Sequence, residues 1–264
     1  MLITTRGERN MTVGKMVDLS LLVDESLPSY WPTHMPFQRH IWNWYSESSG
    51  EDGREILLSN LGPYFTEWLL IDEHTGTHFD APAHFIEDTR RLTGEQVLVS
   101  QFFGPSVVID VSNFRGDQGG ISPEFDEKVI LEWEHAVRPI EPEDVVLFRT
   151  GWDQNYYKPG TLGKKYAFDV LVTKEEPGWP APNNECMQEL INRRVRCVGT
   201  DAPSMGSSHD GAPVHQLGLG SGMVFIEGLA DLQQLPLQGA TFLFLPLKIS
   251  HSSGGVGRAV AWLP

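Results

Sequence analysis

The sequence predicts one α/β domain whose strands form a mixed sheet or a small barrel-like core. Two observations carry this. Short apolar runs of strand length outnumber the clear helical patterns, of which there are about three. No repeat of roughly 20–50 residues, heptad pattern or long linker divides the 264-residue chain. Residues 1–264 are therefore read as one domain, with residues 1–16 as a flexible N-terminal tail.

The elements follow in order. Val17–Val23 is a first strand, and Pro28, Pro32 and Pro36 then punctuate a loop carrying Tyr30, Trp31, His34, Met35 and Phe37. Aromatics in such a loop either cover a core edge or line a pocket. Residues 40–60 are polar with embedded aromatics and read as an irregular or hairpin insertion. Glu67–Asp72 is strand-like, and Thr93–Phe103 suits a short helix. Ser106–Val111 and Asp144–Thr150 are buried-strand signatures. Pro123 opens a helix running to about Ala136. Residues 156–182 form a loop leading to a helix over Asn183–Asn192, capped by Asn183 or Asn184. Val195–Asp201, Met223–Gly228, Ala240–Leu247 and Ala259–Trp262 complete the strands.

A formal net charge of −15 argues against non-specific binding to nucleic acid or anionic membranes, since both require a basic face. Cys186 and Cys197 are too few for a disulfide framework and their spacing fits no common zinc pattern. Cys197 lies in a buried-strand run and reads as a small core hydrophobe. The first residues lack an apolar signal region, and no run reaches the roughly 18 apolar residues of a membrane helix. A soluble, cytoplasmic protein is expected.

The chemistry concentrates in His74-Thr75-Gly76-Thr77-His78-Phe79-Asp80-Ala81-Pro82-Ala83-His84. Imidazoles and a carboxylate suit divalent ions such as Zn²⁺ or Mn²⁺. Gly76 and Pro82 disfavour a regular helix, so the stretch reads as extended or irregular chain turning its histidines inward. Any one of these histidines alone would be an ordinary surface or core residue; three with an aspartate are a metal site.

Further ligands are expected from the loop after a buried strand, Asp201 to Gln216, where α/β proteins tend to place sites. Asp201 either orients a ligand histidine or caps the following turn. Glu227 interrupts an apolar strand, so it faces solvent at an edge or is buried with a partner. His251, in a glycine-rich turn, reads as an ordinary loop residue, and His34, His40 and His135 as surface residues. No phosphate-binding glycine motif follows a strand and no GxSxG elbow is present, which leaves nucleotide use and serine hydrolysis unsupported.

The eleven-residue stretch resembles the HxGTHxDxPxH signature of the cyclase-like amidohydrolases, a family that includes bacterial kynurenine formamidase and isatin hydrolase. Gly199–Ser204 and Ile226–Leu229 extend the resemblance over most of the chain. It implies a swivelling β/β/α fold and hydrolysis of an amide or lactam C–N bond by metal-activated water. His74, His78 and Asp80 map onto metal ligands, and His84 onto the general base or a second-metal ligand. Formamidase-like members imply a binuclear zinc site completed by His215 and Glu227. Isatin hydrolase-like members imply a single Mn²⁺ with Gln216. One or two Zn²⁺ or Mn²⁺ per chain are thus expected.

Thr77 or a nearby backbone N–H is expected to steady the oxyanion. Trp68, Phe79, Tyr30, Trp31 and Phe37, with His209 in the later loop, are expected to hold a small aromatic amide or lactam. A lactone or ester hydrolase of the same design, or a non-catalytic metal-containing binder, are the alternatives. The resemblance also suggests a homodimer or homotetramer, with the proline-rich loop reaching a neighbour's pocket.

Overall fold

Four parallel strands sit at the centre of one sheet, and they are the apolar runs that sequence periodicity singles out. The computed structural model describes residues 14–49, 56–57, 59, 62–88, 91–157 and 160–264. The expected tail therefore lies outside the described residues up to Val13, but Met16 is already in a strand, paired with Trp262. Numbered along the chain, the strands of this sheet are β1 (Met16–Asp18), β2 (His78–Asp80), β3 (Phe103–Asp110), β4 (Val145–Arg149), β5 (Cys197–Thr200), β6 (Val224–Glu227), β7 (Gln238–Pro246) and β8 (Gly254–Trp262).

Strands β3, β4, β5 and β6 run parallel in that order. Strand β7 pairs antiparallel with β3 and with β8. The three-residue β2 pairs antiparallel with both β6 and β8, which closes seven strands into a ring, and β1 adds to β8 outside it. The predicted barrel-like mixed sheet is therefore present. A separate ribbon pairs Gln38–Asn43 with Thr66–Leu70. Part of the expected insertion over 40–60 lies outside the described residues.

Buried parallel strands have no polar face, so alternation sorts their residues between two cores. Val145 and Leu147 join Phe79, Ile226, Phe242 and Phe244 inside the ring. Val146 and Phe148 face outward with Phe225, against the helices α1 (Lys128–Ala136), α3 (Asn184–Asn192) and α4 (Ala212–Gly220). A one-turn helix α2 (Phe168–Leu171) precedes α3. Asn183 caps α3 by accepting the Cys186 N–H at 3.0 Å. Both cysteines are buried, Cys197 in β5 as expected, and burial pushes the Cys197 thiol up to about 12.

Three local expectations are corrected. Thr93–Phe103 forms two separate 3₁₀ turns, because a Thr93–Gln96 capping box closes the first and Leu98 is extended. The helix expected from Pro123 begins only at Lys128, because Glu124–Phe125 pairs in parallel with Ala181–Pro182. Part of the expected loop from Asp201 to Gln216 is the start of α4, whose Pro213 lies in the first turn and whose Val214 and Leu219 pack into the outer core.

Candidate active site

Strand alternation builds the first half of the site. In β2, His78 and Asp80 face outward while Phe79 enters the ring interior, where it packs edge-on against Phe102 at 4.9 Å. Antiparallel register sets His78 directly opposite Glu227. Gly76 enters this strand with a φ of 60°, and its N–H donates to the Ser29 carbonyl at 2.6 Å. Helix α4 delivers His215 from above. The structure thus brings His74, His78, Asp80, His215 and Glu227 together, with His84 beside them.

The tautomers are set by neighbouring groups. A carbonyl only accepts, so His78 Nδ1 donates to Gly76 O at 2.9 Å and His215 Nδ1 donates to Gly211 O at 2.7 Å. Each leaves Nε2 facing carboxylates. His78 Nε2 lies 3.5 Å from Glu227 Oε2 and 3.6 Å from Asp80 Oδ1. His215 Nε2 lies 3.1 Å from Glu227 Oε1 and 3.5 Å from Asp80 Oδ2. His74 Nδ1 is 2.8 Å from Asp80 Oδ1, yet neither Asp80 oxygen completes a hydrogen bond and the residue is only 1% exposed.

Buried carboxylate oxygens without donors, faced by imidazole nitrogens, fit a divalent cation. Two triads sharing Asp80, namely His74–His78–Asp80 and Asp80–His215–Glu227, each hold their donor atoms within 4.8 Å of one another.

The protonation equilibria reflect this crowding. Burial opposes the charge on Asp80, but His74, His84 and His78 hold its carboxyl well below the usual range. Burial and Asp80 push the Glu227 carboxyl up, and hydrogen bonding to His215 and His78 outweighs them, so it too lies low. Burial works against a charged His74, yet Asp80 lifts its imidazole to about 9. His215 is likewise raised by Glu227 despite burial. His84 moves the other way, lowered chiefly by burial. Its ring stacks on His74 at 4.0 Å.

A cavity of about 410 Å³ opens on this cluster. It is lined by His74, His78, His84, His215 and Glu227 on one side and by Tyr30, Trp31, Phe85, Tyr156 and Tyr166 on others. His209 lines it too, its Nδ1 accepting from the Ser122 N–H at 3.3 Å. The proline-rich loop therefore borders the cavity of its own chain, with Pro28, Ser29 and His34 among the lining residues.

Five expected site residues are corrected. Thr77 turns its hydroxyl away, donating to Gly228 O and accepting the Leu21 N–H at 2.8 Å. Phe79 is a core residue, because it is one residue out of phase with the ligands. Trp68 lies on the Thr66–Leu70 strand of the separate ribbon, against His40 at 5.4 Å, outside the cavity lining. Phe37 is buried but does not line the cavity. Gln216 is exposed, since one residue along a helix rotates the side chain by about 100° from His215.

Asp201 does something else again. It accepts from the Thr150 N–H at 2.8 Å and the Gly151 N–H at 2.9 Å, anchoring the turn after β4, and burial pushes its carboxyl up to about 7. Sequence reasoning missed His34, Phe85, Tyr156 and Tyr166. Of these, only His34 belongs to the proline-rich aromatic loop, whose composition suits a pocket wall.

A family model described as "Putative cyclase" matches residues 17–207. An isatin hydrolase from Roseibium aggregatum is 30% identical over 213 residues, covering 77% of each chain. A kynurenine formamidase from Bacillus cereus is 27% identical over 257 residues, 95% of this chain and 98% of the relative. Among solved structures, an isatin hydrolase bound to the product analogue thioisatinate superposes with a TM-score of 0.76 at 23% identity, over 96% of this chain and 93% of the other, and so shares the fold. Isatin hydrolase A from Labrenzia aggregata, bound to benzyl benzoate, gives a TM-score of 0.75 at 26% identity, over 95% and 94%.

Proposed function

Because the chain belongs to the putative cyclase family, we propose that it hydrolyses the C–N bond of a small aryl amide or cyclic amide, with His84 as general base. The enzyme is a metal-dependent amidohydrolase acting on bonds other than peptide bonds. One observation carries the reading: buried imidazoles and carboxylates converge with unsatisfied acceptors at the wall of an aromatic-lined cavity. His74, His78 and Asp80 would hold one cation, and Asp80, His215 and Glu227 have the arrangement to hold a second. Zn²⁺ or Mn²⁺ suits these nitrogen and oxygen donors. Such an ion supplies Lewis acidity and lowers the pKa of a water toward about 7.

The chain's own groups account for the rest. His84 lines the cavity and burial keeps it neutral, so its free ring nitrogen can take a proton from water and return it to the departing nitrogen. Tyr30, Trp31, Phe85, Tyr156 and Tyr166 offer flat faces that suit an aromatic ring. Tyr156 is fixed by donation from its hydroxyl to Leu22 O at 2.6 Å. The isatin and N-formylkynurenine classes both fit this description, and the two relatives act on such compounds by name.

Among the described residues, no helix is long and apolar enough to cross a membrane. We place the enzyme in the cytoplasm as a homodimer or homotetramer. Exposed aromatics on the separate ribbon, such as Trp42 and Trp68, support the assembly.

The test begins with metal analysis of the purified protein and turnover of isatin and N-formylkynurenine with that metal restored. Hydrolysis of either amide is expected, with His84→Ala falling about 10²-fold or more while retaining metal. Unchanged turnover in His84→Ala would sink the base assignment, and a protein that takes up no metal would sink the whole reading.

A further inference from the structure

The glycine-rich turn near the C-terminus, Ser252 to Gly255, has no role in the chemistry above, yet it touches the first histidine of the site. Ser253 Oγ lies 3.0 Å from His74 Nε2. The same hydroxyl donates to Glu73 Oε2 at 2.6 Å, and the Ser253 N–H donates to that oxygen at 2.8 Å. Ser253 O in turn accepts the Ala81 N–H at 2.9 Å, so the serine is fixed from both ends of its backbone.

The proton inventory is decisive. A hydroxyl has one proton, and an ionised carboxylate can only accept. With that proton given to Glu73, Ser253 Oγ must accept from His74 Nε2–H. His74 Nδ1, 2.8 Å from Asp80 Oδ1, is then the nitrogen presented to the cluster. The ring is also confined sideways. His84 stacks on one face, and a methyl group at Gly254 would sit 2.9 Å from His74 Cε1.

We propose that Glu73 and Ser253 are positioning residues that hold His74 in the tautomer and ring orientation needed to bind a cation through Nδ1. The inference rests on the metal-site reading of His74 but goes beyond it, because neither Glu73 nor Ser253 belongs to either donor triad. It also gives this turn a function: a serine just before β8 sets the chemistry of a ligand 179 residues earlier in sequence.

The experiment measures Mn²⁺ and Zn²⁺ dissociation constants by titration calorimetry on the full-length protein, stripped and refilled. Ser253→Ala is expected to weaken binding about 10- to 100-fold, the usual effect of removing a hydrogen-bond partner of a metal-binding histidine. Ser253→Thr, which keeps the hydroxyl at a half-buried position, should stay within about threefold of the parent. Glu73→Ala should weaken binding in the same direction and combine less than additively with Ser253→Ala, since both act through one ring. Parent-like affinity in Ser253→Ala overturns the proposal, as does equal loss in the alanine and threonine variants, or full additivity with Glu73→Ala. Circular dichroism of each variant separates these results from misfolding. A parent that binds neither ion overturns the metal-site reading itself, and that failure is visible before any variant is made.

Discussion

Removal of divalent cations should lower the melting temperature by about 5–10 °C, and the magnitude follows from the buried carboxylates. Asp80 and Glu227 are 1% and 4% exposed, and their ligand oxygens lie within 4.8 Å of each other and of His215. At an effective dielectric constant of about 20, two like charges at that separation repel by about 3.5 kcal/mol. A cation between them removes that repulsion; in its absence, His74 and His215, whose imidazoles the carboxylates hold above their ordinary range, offset only part of it. A ligand at about a hundred times its dissociation constant stabilises by about 2.7 kcal/mol, a similar amount. For a chain of this size each kcal/mol moves the midpoint by about 2–4 °C. Scanning calorimetry before chelation, after chelation and after refilling measures the shift, with metal content determined on the same samples. A midpoint that moves by less than about 1 °C while the metal content falls to zero would refute the cluster as a cation site, because the calculated repulsion would then have no counterpart in stability.

Four other predictions use single residues or pH. His74 is raised from 6.5 to about 9 in the metal-free protein, so its charged pairing with Asp80 stabilises fully below pH 6.5 and is lost as pH rises through about 9. A cation needs the neutral ring, so calorimetric metal affinity should rise between pH 7 and 9; affinity that falls over this range contradicts the assignment. His215→Ala should lose metal affinity and, in the stripped protein, about 1–3 kcal/mol of stability, because buried Glu227 loses one of its partners while the Met205 N–H still donates to it at 2.6 Å. Gln216→Ala, one residue along the same helix but exposed, should change urea stability by less than about 0.5 kcal/mol and leave metal content intact; equal effects of the two variants would reverse the helix orientation. Gly254→Ala would place a methyl group 2.2 Å from Phe79 O, so urea titration should show a loss of about 1–3 kcal/mol as β2 and β8 are forced apart.

How far the sequence could be read depended on the kind of signal each residue carried. The parallel strands were legible because burial on both faces turns Val145–Arg149, Cys197–Thr200 and Val224–Glu227 into apolar runs. The ligand motif was legible because three histidines and an aspartate so close together rarely serve packing alone. Helix α4 was not, since Gly218 and Gly220 have low helix propensity and tertiary packing of Val214 and Leu219 overrides it. With α4 read partly as loop, His215 and Gln216 could not be told apart; a helix admits only one of them to the cavity. Thr77 and Phe79 are a different case. The twofold period of an extended segment already separates them from His78 and Asp80, so that information was in the sequence. Tyr156 and Tyr166 reach the cavity only through the path of the short 3₁₀ turns between β4 and α2, a segment that reads as loop in the sequence.

The three-residue strand that closes the ring also dictates when the protein can become active during its synthesis. The two partners of His78–Asp80, Val224–Glu227 and Gly254–Trp262, are made more than a hundred residues after it. Until then the motif has no ladder to join, and its carboxylate and imidazoles remain an unassembled, solvent-accessible set. Non-local closure of this kind is slow and leaves strand edges exposed in the meantime. The ligand set is therefore completed only after Gly254–Trp262 has been made and has paired with His78–Asp80.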